Sequence, residues 1–272
     1  MGIDDAYLKL PARHLSPPDV WYGWKKRPYY TSGSTWRLDD VEFHEPKSLP
    51  ALNALDLHEE GKHAYNAGPI AEVFSEILGD FGLKPYVSRL RRLPLPSKDT
   101  TTYAEDLKQS LHDALKKMKR SSVVFILLPS PDSWLYTTIK RIADRELGIG
   151  TVCAQVAKIQ KLTRFRETNV RNEELYGYLA NLAMKINLKL GGTNHILPPE
   201  CFSKRMLEKG KPHMMIMGAN VTHPASHSTP GTPSIAAVVA SVDPHFTKYP
   251  GSMRLQTSKQ EVCPAFCSWE CY

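Results

Sequence analysis

No apolar stretch of this chain is long enough to cross a bilayer. The longest strongly apolar run, Val123 to Leu128, has six residues, where a spanning helix takes about 20. The amino-terminal stretch MGIDDAYLKLPARH lacks the apolar core of a secretory signal. MGIDDA also lacks the Ser or Thr at its sixth position that myristoylation of Gly2 would want. The expectation is a cytoplasmic protein without a membrane partner, with room for a nuclear pool. Cysteine is scarce, five in 272 residues. Cys153 and Cys201 stand alone, and Cys263, Cys267 and Cys271 crowd into the last ten positions, so there is no disulfide framework. The C-x3-C-x3-C spacing could hold a metal only with a fourth ligand. The tail therefore reads as unstructured, and neither a metal nor a cofactor is expected. Acidic residues are outnumbered, 28 against 35 basic ones, which leaves a net charge of +7 and a pI near 9.1. That balance suits an anionic partner, nucleic acid above all.

The segments present are patterned. Residues 1–45 are rich in proline and aromatics and show little periodicity, which reads as a linker laid over another surface. From 46 to 199 helical and strand patterns alternate. PIAEVFSEILGDFG puts Ile70, Val73, Phe74 and Ile77 on one helical face, and KPYV reads as a short strand. Residues 103–119 carry a helical stripe of Leu107, Leu111, Leu115 and Met118. SSVVFILLP is a buried strand, PDSWLYTTIKRIADRE a helix capped by Asp132 or Ser133, and TVCAQV another strand. A long helix over 172–190 ends at Gly191-Gly192. No element is assigned to the leucines at 49, 52, 55 and 57. Such alternation predicts a mainly parallel sheet covered on both faces. After Pro198-Pro199 and a basic connector, HMMIMGA, SIAAVVASVD and GSMRLQT follow without helices between them, an antiparallel meander. Three strands cannot bury both faces, so this second unit looks incomplete.

Tyr136 and Lys140 are four apart, as are Lys185 and Lys189, and each pair is offset from the apolar stripe of its helix. In a doubly wound sheet ligands bind beyond the carboxyl ends of the strands, at helix N-termini. If both helices border one such crevice, three lysines and a tyrosine converge there, with Thr151 and the main chain of Cys153 alongside. Lysines, a hydroxyl and amides suit a phosphate, and a flat ring suits a base stacked above it. A terminal phosphate, with about −1.5 to −2 charges, would outcompete an internal phosphodiester. The bland alternative is that these lysines are simply solvated.

The segments WLYTTIKRIADRELGIGTVCAQV, LANLAMKINLKLGGTNHILPP and MMIMGANVTHP…PSIAAVVASVDPHFTKYPGSMRLQTSKQEV, in this order, resemble eukaryotic Argonaute. The resemblance runs from about residue 12 to Val262. It implies a second-linker-like segment over 1–45, a Rossmann-like MID domain over 46–199, the truncated start of an RNase H-like PIWI domain over 200–262, and an unmatched tail over 263–272. The implied function is binding of a small guide RNA through its 5′-phosphate and first base, in RNA silencing. By the resemblance Tyr136 stacks on the base and Lys140, Lys185 and Lys189 hold the phosphate. Val152 stands where the family often has glutamine, and Thr151 and the Cys153 amide are the substitutes. Ser130, Pro131, Asp132, Ser133 and Trp134 match the loop that reads the first base. Asn220 occupies the position of the first PIWI aspartate. Two-metal hydrolysis needs bridging carboxylates, so no cleavage by this chain is expected, and divalent metal belongs to a complete PIWI domain. The implied partners are a 5′-phosphorylated guide RNA, target RNA through that guide in a complete protein, and other silencing proteins. Two alternatives stay open: a guide-directed endoribonuclease of the full Argonaute type, and a truncated fragment without function.

Overall fold

The structure is a computed structural model that describes residues 10–13, 18–23, 27–29, 38, 40–59, 67–85, 87–118, 123–163, 173–202 and 214–259. The cysteine-bearing tail, the basic connector at 204–211 and the end of the KKMKR cluster lie outside the described residues. The described chain divides into two compact units, up to Asn194 and from His195 onward.

In chain order the first unit holds β1 (Val20–Tyr22), β2 (Arg27–Tyr29), β3 (Ala51–Glu59), α1 (Gly68–Asp80), β4 (Val87–Leu95), α2 (Tyr103–Lys116), β5 (Val123–Leu128) and α3 (Ser133–Lys140). A π-helical stretch Arg141–Leu147 prolongs α3, and β6 (Gly150–Gln155), α4 (Val156–Thr163) and α5 (Glu173–Lys189) follow. The main sheet is parallel in the order β4-β3-β5-β6. Its inner strands β3 and β5 are buried on both faces, and alternation sorts the side chains of the sheet. Leu52, Ala54, Val123, Phe125, Leu127, Val152 and Ala154 join the core of α1, α4 and α5. Leu55, Leu57, Val124, Ile126 and Leu128 join that of α2, α3 and the π-helical stretch.

Three expectations are corrected. The leucines at 52, 55 and 57, to which the sequence assigns no element, belong to the inner strand β3. The strand expected at KPYV is instead Val87–Leu95, because Lys84, at φ 45°, turns the chain before it. Residues 20–22 and 27–29 are not irregular but pair as two antiparallel strands, with Val20 and Tyr22 buried. The segment just beyond is also integral to the unit. Phe43 is fully buried and stacks on Phe81 at 4.7 Å, and the main chain of Glu45 bridges to Thr193.

The second unit contains β7 (Met217–Thr222), β8 (Ser234–Ala240) and β9 (Gly251–Gln256), an antiparallel meander in that order. The first strand begins later than HMMIMGA suggests. Ser241 brackets Ile216, its Oγ accepting the Ile216 N–H at 2.9 Å and its N–H donating to the Ile216 carbonyl at 2.9 Å. Ladder pairing then starts at Met217 opposite Ala240. Asn220 therefore sits inside β7, opposite Ala237.

Candidate guide-binding site

The basic site is built where the helices of both faces reach the sheet's outer strand, β6. α3 lies on one face and ends in Lys140, and α5 lies on the other and ends in Lys189. Tyr136 is four residues back along α3, 45% exposed, with its ring centroid 5.6 Å from the Lys140 ammonium. Lys140 Nζ donates to the Thr151 carbonyl and to Thr151 Oγ1, each at 2.6 Å. Burial pushes the Lys140 pKa below the ordinary lysine value, and the nearby Lys189 and Lys185 charges lower it further, against the raising influence of Cys153 and Asp144. Burial pushes the Cys153 thiol up to about 11, so it is neutral, although Lys140 and Lys189 pull the other way. Neither Lys185 nor Lys189 has a carboxylate partner among the described residues. The result is a concentration of positive charge beside an exposed aromatic ring.

The structure thus brings Tyr136, Lys140, Thr151, Cys153, Lys185 and Lys189 together, but not at the carboxyl ends of the strands. Thr151 is the second residue of β6, Lys140 sits where α3 passes into the π-helical stretch, and Lys185 and Lys189 lie near the C-terminal end of α5. Helices returning antiparallel to a parallel sheet run toward its amino edge, so long lysines on their later turns converge there. Thr151 is fully buried, with its hydroxyl already bonded to Lys140, so it orients the ammonium. Val152 points into the core with α1 and α5 and offers no polar contact.

The segment Ser130, Pro131, Asp132, Ser133 and Trp134 lies at the other end of α3, about 10 Å away by the helical rise from Ser133 to Lys140. Asp132 caps α3, its Oδ1 accepting the Leu135 N–H at 3.0 Å. Its carboxyl is held below the usual range by that bond and by Lys98. Trp134 is exposed and tilts against Tyr103, with ring centroids 5.7 Å apart. Sequence reasoning missed Lys98. It also missed Asn187, which is fully buried and ties the end of α5 to residues 45–47 and 194.

In the second unit Asn220 is exposed. His223 Nδ1 lies 2.7 Å from Ser234 Oγ, which also accepts the Lys259 N–H at 3.0 Å, a buried hydroxyl fastening two loops. Among the described residues no group of three or more His, Cys, Asp or Glu could hold a metal ion, and no helix is long and apolar enough to cross a membrane.

A doubly covered parallel sheet with a lysine cluster at its edge, followed by an antiparallel meander, defines the class: an α/β protein of the MID–PIWI kind. The Piwi-domain family model matches residues 123–267, from β5 of the first unit into the second. Protein argonaute 1B of Oryza sativa subsp. japonica is 32% identical over 270 residues, covering 96% of this chain and 22% of that protein. The crystal structure of the N. crassa QDE-2 AGO MID-PIWI domains superposes with a TM-score of 0.56 at 28% identity, over 79% of this chain and 54% of that one. Kluyveromyces polysporus Argonaute with a guide RNA shares the fold, with a TM-score of 0.69 at 20% identity over 95% of this chain and 31% of that one. The chain belongs to the Argonaute family, by its Piwi-domain match. It spans about a fifth of the length of such curated relatives.

Proposed function

We propose that this chain binds the 5′-phosphorylated end of a small guide RNA and takes part in RNA silencing as a binding module, not as a nuclease. The observation that carries the reading is the gathering of Lys185 and Lys189 near Lys140 at the β6 edge, with the exposed ring of Tyr136 beside Lys140. In this reading the phosphate lies against the three ammonium groups, with the main-chain N–H of Cys153 as a further donor. The first base stacks on Tyr136, and the loop at 130–134 meets its edge. The related Kluyveromyces polysporus Argonaute is solved with a guide RNA, which supports RNA as the ligand here. Three or four charge-assisted hydrogen bonds at about 1.5 kcal/mol each give roughly 5–6 kcal/mol. A nucleoside monophosphate should then bind at around 0.1 mM. The Piwi match favours a nuclease as the second reading. Against it, Asn220 provides a neutral amide where metal-dependent hydrolysis wants a carboxylate.

The test is titration of 5′-phosphorylated and 5′-hydroxyl RNA of one sequence at fixed salt, followed by incubation with matched target and Mg2+ or Mn2+. The phosphorylated strand should bind at least about tenfold tighter, the worth of one charge-assisted hydrogen bond, and the target should stay intact. Equal affinities would remove the phosphate reading. Cleavage opposite the guide would restore the nuclease.

A further inference from the structure

The carboxyl ends of β3 and β5 form a second place of interest. The chain leaves β3 for β4 through α1 on one face, and leaves β5 for β6 through α3 on the other. Strand order therefore reverses between β3 and β5, the position where open α/β sheets receive ligands. Lys98 joins three segments there. Its ammonium lies 3.4 Å from Asp132 Oδ2, just after β5, and 4.0 Å from Glu59 Oε1, the last residue of β3. A few residues on, the Tyr103 ring meets Trp134. The segment 98–103 thus grips the loop of residues 130–134 from two sides. Pro129 and Pro131 fix φ on both sides of Ser130, so the loop shifts as a unit when Asp132 shifts.

We propose that Lys98, supported by Tyr103, is a positioning residue that sets which first base the loop accepts. This rests on the 5′-phosphate reading above. Discrimination between bases depends on donors and acceptors held in place before the base arrives. Lys98 reaches neither the phosphate site nor Tyr136; it acts through Asp132. Its side chain is 54% exposed, so its removal leaves the core untouched.

The experiment titrates the full chain with UMP, AMP, CMP, GMP and ribose 5-phosphate, as wild type, Lys98→Met and Lys98→Arg. In the wild type the four bases should differ in affinity. Lys98→Met should narrow that span by about threefold, the scale of one partly exposed ion pair, while ribose 5-phosphate stays within twofold of wild type. Lys98→Arg should recover most of the span. If the four bases bind the wild type equally, if Lys98→Met keeps the full span, or if ribose 5-phosphate weakens in step, the inference is overturned and the phosphate site stands. If the wild type binds none of the five, the phosphate reading itself fails and this inference falls with it.

Discussion

Lys140 is anchored and electrically frustrated at once. Its ammonium has two oxygen partners on Thr151, yet burial and the other lysines depress its pKa. A phosphate dianion would reverse this, because an opposite charge within a few ångströms favours the protonated amine. The free protein therefore gives up the Lys140 proton at lower pH than an ordinary lysine of pKa 10.5, and the complex at higher pH. Binding takes up a proton between those two values, so affinity falls as pH rises through them. At the acid end affinity should fall as the phosphate leaves its dianionic form, near pH 6. Calorimetric titration of a nucleoside monophosphate should trace a bell with these two limbs. Lys140→Met should weaken binding by about 1–3 kcal/mol and flatten the alkaline limb. An unchanged alkaline limb would assign the titration to another group. The i,i+4 spacing made Tyr136, Lys140, Lys185 and Lys189 readable from sequence. Thr151 was readable only as a nearby hydroxyl; that it orients Lys140 is a tertiary fact. Lys98 gave no signal, since its meaning comes from two segments distant in the chain.

The last turn of α5 carries Lys185 and Lys189, and Asn187 between them faces inward. Asn187 Oδ1 accepts the Lys47 N–H at 3.0 Å, and its Nδ2 donates to Asn194 Oδ1 at 2.9 Å. The helix closes with the Gly192 N–H donating to the Asn187 carbonyl at 2.9 Å and the Gly191 N–H to the Leu188 carbonyl at 3.0 Å, a Schellman end with Gly191 at φ 82°. A Cβ at Gly192 would collide with the Asn187 amide. Asn187→Ala leaves the Lys47 N–H and Asn194 without these partners, at a cost of about 1–3 kcal/mol per unsatisfied group. Urea denaturation should show the loss of stability, and phosphate affinity should drop with it as the last turn loosens. Retained stability would mean that water or a neighbouring group replaces the amide. Elements with one clean period, α1, α2, α3, α5, β5 and β6, were legible in the sequence. β3 was not, because its leucines mix spacings of two and three while both faces are buried, and it carries Asp56, almost fully buried against Arg92 at 3.4 Å. The pairing of β1 with β2 was hidden by a proline-rich, aromatic composition, and α4 by its shortness and its immediate start after β6.

At the scale of the whole molecule the two units differ in how well they bury apolar surface. The first has a continuous core on each face of its sheet. In the meander, register puts Ile235, Ala237, Val239, Met253 and Leu255 on one face together with Asn220. Met253 is 69% and Leu255 71% exposed, and among the described residues β7 and β9 are edge strands. An apolar face beside unpaired strand edges favours association. The intact chain should therefore self-associate with rising concentration, while a chain ending at Pro199 stays monomeric in sedimentation velocity. Replacing Met253 and Leu255 together with lysine should return the intact chain toward the monomer, because like charges on that face oppose its pairing. Limited proteolysis should leave a core of roughly residues 20–199, within the usual size of one domain, and cut first in the later segment. A meander as resistant to protease as the first unit, in a chain that stays monomeric at every concentration, would mean that this face is covered in solution.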